Sequence, residues 1–231
     1  PTEAQEFTVT AENTASYPSK VGVENWPLYF TLTKTDKLTG KTLANVPFKL
    51  IDNSGNALRC TQQEDGSYKV TASGVDTFLT DTEGKVLISH IPEGNYKLVE
   101  QTYDMYATHA EVTVTVANTN TEATPANASL KNCPTAFKLT KVDAETKSAL
   151  DNVKFILKDA SGNVVPIALM DDCTYRPAYA VGEDTVAISN ATLTTDGNGE
   201  IVIHYLKHGA YTLIEQQKAG YAPLKDIAFE I

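Results

Sequence analysis

Along much of the chain apolar and polar residues alternate with a period of two. In LYFTLTKTDKLTG, from Leu28 to Gly40, Phe30, Leu32 and Lys34 fall on one side of a strand and Thr31, Thr33 and Thr35 on the other. FTLT, PFKLID, YKVTA, KVLISH, NYKLVE and EVTVTV are short and rich in Thr, Val, Ile and aromatics. The clusters NSGN, EDG, TEG and PEGN separate them as turns. This spacing predicts an antiparallel β-sandwich with any helix short and peripheral. One position jars: Lys34 shares the apolar side, where an ammonium needs a partner.

The pattern also repeats. FTLTKTDKLTGKTLANVPFKLIDNSGN from Phe30 sets over FKLTKVDAETKSALDNVKFILKDASGN from Phe137 at an offset of 107, and YKLVEQTYDMYA from Tyr96 over YTLIEQQKAGYA from Tyr211 at an offset of 115. The second copy therefore carries eight extra residues, expected around Ala180 to Ala191. VENWPLYFTLTK from Val23 sets over LKNCPTAFKLTK from Leu130, placing Asn25 over Asn132. The expected organisation is residues 1–26 as the last two strands of a preceding repeat, 27–133 as a first complete domain, and 134–231 as a second domain lacking its final strand. A short linker falls near Cys133 and Pro134 in an elongated rod.

Alternation supplies partners for the lysine. In NYKLVE the side of Tyr96 and Leu98 also holds Glu100, and in SLKN the side of Leu130 holds Asn132. The second copy repeats the set with Phe137, Leu139 and Lys141, and with Tyr211, Leu213 and Glu215, but without the asparagine. An inward Lys, Glu and Asn form one hydrogen-bonded cluster in place of three separate penalties. The same residues also fit a plain buried ion pair beside an amide, or a lysine snorkelling at a strand edge.

LTKTD at Leu32, LTKVD at Leu139, the turns after FKLID and FILKD, the YKLVE and YTLIE strands and the KNCP boundary together resemble the Cna-B family, the SpaA-type repeats of Gram-positive surface adhesins and pilins. The resemblance covers nearly the whole chain. It implies tandem immunoglobulin-like sandwiches on the extracellular surface of a cell-wall-anchored parent protein. It also implies a self-formed isopeptide bond, with Lys34 as amine, Asn132 as side-chain amide and Glu100 as proton carrier. By the same resemblance Lys141 and Glu215 are the amine and proton carrier of the second repeat, and Asn25 is the acceptor of a preceding one. The expected function is a structural stalk, with neighbouring repeats as partners and no turnover, since the reactive cluster consumes itself.

Composition narrows the alternatives. With 19 Lys and Arg against 29 Asp and Glu, the net charge of −10 disfavours nucleic acid. No apolar run approaches the ~18 residues of a membrane span. Cys60, Cys133 and Cys173 are odd in number, far apart and without a CxxC, which reads as free thiols. TTDGNGE from Thr194 reads as a hairpin turn and not a calcium loop, and His204 and His208 as a strand and turn pair without a shared face. No metal, cofactor or hydrolase motif is called for. In SYPSK, Ser19 separates Lys20 from the proline that directly precedes the lysine in sortase-assembled pilins, so Lys20 reads as an exposed loop lysine. The competing function is a binding module for a host protein or glycan, using Tyr175, Arg176 and Tyr179 on the long second-copy loop.

Overall fold

The computed structural model describes residues 6–181, 192–222 and 224–231. The first repeat forms β1 (Tyr29–Asp36), β2 (Pro47–Asp52), β3 (Cys60–Gln62), β4 (Tyr68–Val70), β5 (Phe78–Leu79), β6 (Lys85–Ser89), β7 (Gly94–Glu100), β8 (Val112–Val116) and β9 (Ala126–Asn132). The second forms β10 (Ala136–Thr140), β11 (Lys154–Asp159), β12 (Ile167–Leu169), β13 (Tyr175–Pro177), β14 (Thr192–Thr194), β15 (Glu200–His204), β16 (Ala210–Glu215) and β17 (Ile227–Glu230). Among the described residues the one helical element is a 3₁₀ turn at Ala178–Ala180. By contacts the chain divides into two compact units: Pro1–Thr35 with Gly40–Gln101 and His109–Lys131, and Asp36–Thr39 with Thr102–Thr108 and Asn132–Ile231.

Each repeat is a sandwich of two sheets. In the first the orders are β3-β4-β6-β1-β9 and β5-β2-β7-β8, and in the second β12-β13-β15-β10 and β14-β11-β16-β17. Strand for strand the two agree, with no counterpart of β9 beside β10 among the described residues. Alternation fixes the inward faces: Phe30, Leu32, Phe48, Leu50 and Leu98 fill the first core, and Phe155, Leu157, Ile203 and Leu213 the second. Removing such side chains from water contributes about 1.5 to 3 kcal/mol each. Tyr96 and Tyr211 each donate their hydroxyl to a carbonyl four residues upstream, at Pro92 and Lys207.

Two expectations change, and a third falls outside the described residues. Residues 6–28 form no strand, although EFTVTAEN and KVGVEN carry the pattern for two, because a strand without neighbours is not stable alone. TTDGNGE is a tight turn, closed by Asn198 and Glu200 N–H groups on Asp196 Oδ1 at 2.9 and 2.7 Å, but it is not a hairpin. It links β14, paired with β11, to β15, paired with β10, and so switches sheets. The bulk of the extra segment in the second copy, residues 182–191, lies outside the described residues.

The sheet-switching turns hold the lysine strands. Lys34 N–H donates to Gly84 O at 2.7 Å and Lys34 O accepts from Leu43 N–H at 3.0 Å, and Lys141, Gly199 and Leu150 repeat both bonds at 2.7 and 3.0 Å. Gly84 and Gly199 have φ of +70° and +74°, and a Cβ on either would collide with the carbonyl of Lys34 or Lys141. Gly84→Ala is therefore expected to cost more than about 2 kcal/mol, read from the denaturant midpoint, since left-handed backbone alone costs about 1 to 2 kcal/mol for a residue with a Cβ.

Within the second unit a buried carboxylate organises distant segments. Asp36 Oδ2 accepts the hydroxyls of Tyr106 and Tyr205, both at 2.8 Å, and Oδ1 accepts the N–H groups of Leu38 and Thr39 at 2.7 and 2.8 Å. Burial pushes the Asp36 carboxyl up, but bonds from Thr39, Tyr106, Tyr205 and Leu38 together outweigh it and hold the group below its ordinary value. Burial first, then the bond to Asp36, raises both tyrosines well above the ordinary phenol range. A depressed carboxyl contributes stability that is complete above its unfolded value, about 3.9, and lost as pH falls through its folded value. The melting temperature of the wild type is thus expected to fall more steeply below about pH 4 than that of Asp36→Asn, which lacks this titration.

Candidate functional site

β1 is buried at every second residue, so Phe30, Leu32, Lys34 and Asp36 all face inward. Lys34 is fully buried, its Nζ 2.8 Å from Glu100 Oε2 and 5.7 Å from the centre of the Phe48 ring. The ring and the carboxylate are brought together by register, since Phe48 on β2 lies directly across from Glu100 on β7. A charged pair so placed loses its hydration, which costs several kcal/mol per ion unless the partners are well arranged. β9 runs beside β1 in the same sheet, and its inward residues are Ala126, Leu130 and Asn132, the last 1% exposed. The Asn132 carbonyl accepts the Lys37 N–H at 2.8 Å, which pins the end of β9 to the turn after β1.

The second repeat holds the same pair. Lys141 Nζ lies 3.0 Å from Glu215 Oε2, and Glu215 is directly across from Phe155. The surroundings differ, because the Lys141 side chain is 19% exposed where that of Lys34 is fully enclosed. Asn25 is exposed and belongs to no strand, as is Lys20.

Other candidates separate. Tyr175 and Arg176 do not lie on a loop: both are buried in β13, where the Tyr175 hydroxyl bonds Thr194 N–H and O and the Arg176 guanidinium stacks 4.9 Å over Tyr205. Only Tyr179, in the 3₁₀ turn, is exposed. His204 is in β15 and His208 in the exposed turn after it. All three cysteines are free. Burial pushes the Cys60 thiol up to about 11, while Cys133 and Cys173 are exposed. Asp36 was not singled out from the sequence, although the period-two pattern through 30, 32 and 34 continues to it.

The SpaA prealbumin-like fold domain matches residues 29–129 and again 135–231. No curated protein sequence matches the chain. Among solved structures it is similar to a streptococcal ancillary pilin (23% identity, TM-score 0.42, 93% of this chain and 61% of that one). It is also similar to the Bacillus anthracis TIE protein (20%, 0.44, 90% and 32%). A third is the shaft pilin SpaA of Lactobacillus rhamnosus GG (17%, 0.36, 88% and 93%). The chain thus spans less than two thirds of the first two structures. With two consecutive domain matches over most of its length and the same sandwich built twice, the chain belongs to the SpaA family of prealbumin-like fold domains.

Proposed function

We propose that the chain is a stalk segment of a bacterial cell-surface pilin or adhesin, and that its first repeat closes itself with an isopeptide bond between Lys34 and Asn132. The observation that carries this reading is the fully buried Lys34 at 2.8 Å from Glu100, on a strand flanked by the one that ends in buried Asn132. In an apolar enclosure the neutral pair of amine and carboxylic acid is favoured over the charged pair, and a neutral amine is the nucleophile.

The chemistry balances within the cluster. Lys34 Nζ attacks Asn132 Cγ as Glu100, protonated, donates to the amide oxygen. The amine's proton passes through Glu100 to Nδ2, the Cγ–Nδ2 bond breaks, and ammonia leaves. Folding supplies the orientation, worth about 7 to 11 kcal/mol of the barrier in well-aligned intramolecular reactions. The product ties β1 to β9, so that tension passes through a covalent link and the ladder between them need not shear. Resistance to force and proteolysis then becomes a matter of kinetics.

Intact mass is expected to fall short of the sequence mass by one ammonia, and Glu100→Ala to restore the full mass. A cross-link closing a loop of roughly a hundred residues stabilises by about 4.7 kcal/mol. The variant is therefore expected to melt lower by about 20 °C or more, at about 4 to 8 °C per kcal/mol for a domain of this size. A freshly folded wild type at full mass would leave Lys34 and Glu100 as a buried ion pair only.

A further inference from the structure

The outer face of the sheet that carries the glutamate strand is filled differently in the two repeats. At an offset of 115, β7 sets over β16 and β8 over β17, and the cross-strand register is kept. Asn95 across from Thr115 becomes Ala210 across from Glu230, and Lys97 across from Thr113 becomes Thr212 across from Ala228. In the first repeat the Thr115 hydroxyl donates to Asn95 Oδ1 at 2.7 Å, and Lys97 Nζ reaches Glu111 Oε2 at 3.2 Å. The lysine side chain thus runs from its place across from Thr113 to a carboxylate two residues along the neighbouring strand, a diagonal pair on one face.

The second repeat keeps the acid and lacks the lysine. Asp226 stands in the place of Glu111, Thr212 in that of Lys97, and Glu230 adds a second carboxylate in the place of Thr115. With alanines at 210 and 228 the floor is low, and an open depression of about 560 Å³ lies over it, with Lys158, Ala210, Thr212, Asp226, Ala228 and Glu230 in its lining. Among the described residues the ion pairs of the second repeat are Lys138 with Glu200 and Lys141 with Glu215, so Asp226, Glu230 and Lys158 have none. This face is outward in the fold itself: in the first repeat, where the chain runs on past β8, Asn95, Lys97, Thr113 and Thr115 are all exposed.

We propose that this depression is a docking site for a lysine side chain carried by a partner protein, which lies where Lys97 lies in the first repeat and sets its ammonium on Asp226 and Glu230. The first repeat shows that the fold seats a lysine there, and the second supplies the room and the charge without the side chain. The methylenes of the incoming lysine cover Thr212 and Ala228 while its head stays at the wet rim, the usual division of a lysine between apolar and polar surroundings. Lys158 stands directly across from Thr212 on the β11 side, so its charge turns the ammonium toward β17. Exposed pairs are individually weak, so one lysine alone is held in the millimolar range, and a lasting complex draws on further contacts around it.

The test is to titrate the isotope-labelled chain with a blocked peptide, acetyl-Gly-Lys-Gly-amide, and with the same peptide carrying norleucine in place of lysine, following amide and methyl signals by NMR. Saturable shifts at Ala210, Thr212 and Ala228 are expected with the lysine peptide and none with norleucine, a comparison that needs no variant. Asp226→Asn combined with Glu230→Gln is expected to weaken binding about tenfold, the sum of two exposed pairs, and Lys158→Gln to strengthen it. Thr212→Lys, which rebuilds the arrangement of the first repeat, is expected to abolish binding, whereas Thr212→Val, of the same size as threonine, keeps it. Shifts that are absent, equal with norleucine, spread over exposed carboxylates elsewhere, or unchanged in Thr212→Lys would overturn the proposal. So would loss of binding in Lys158→Gln, which would make the depression a site for an acid. Sedimentation of the chain alone is read in parallel: association that Thr212→Lys removes would assign the lysine to a second copy and overturn the assignment to a different protein.

Discussion

A lysine and a glutamate buried against each other in the centre of a β-sandwich set the terms for both repeats. Taking two charges out of water is expensive, and the attraction between them offsets the cost only in good geometry, so removing one partner typically costs about 3 to 5 kcal/mol. The sequence arranges for this twice: Glu100 sits across from Phe48, Glu215 across from Phe155, and each lysine meets its carboxylate within 3.0 Å. The lysine strands must then be held at one height, and the glycine turns at Gly84 and Gly199 do so with paired backbone bonds to each lysine.

The difference between the repeats comes from a single strand. Where β9 lies beside β1, the lysine is sealed from solvent and an amide side chain on the neighbouring strand is buried with it. Beside β10 there is no such strand among the described residues, and the same pair stays partly wet. An ammonium in reach of water loses less of its hydration than one sealed from it, so the two pairs differ in what their burial costs.

Asp36 shows how the same alternating strand serves a second purpose. One turn of the pleat beyond Lys34, it is again inward, but its partners are the N–H groups of its own turn and the hydroxyls of Tyr106 and Tyr205. Four hydrogen bonds hold a buried carboxylate below its ordinary value, and Arg176 stacks on one of those tyrosines, Tyr205. Arg176 is thus covered within the fold by its ring contact with Tyr205, and Tyr175 by its bonds to Thr194, so neither lies on a binding loop.

The sequence by itself determined the fold class, the duplication and the inward lysine and glutamate of each repeat. All of these follow from a period of two within single strands and from the similarity of two segments, which are local properties of the chain. Tertiary structure decided what depends on which distant strands become neighbours. Asp36 meets tyrosines 70 and 169 positions away, the Asp196 turn joins different sheets, Arg176 is covered, and residues 6–28 carry a strand pattern without forming strands. Alternation states which face a side chain takes, but a strand exists only where another backbone offers hydrogen bonds, and that is settled by the assembled sheet and not by the segment.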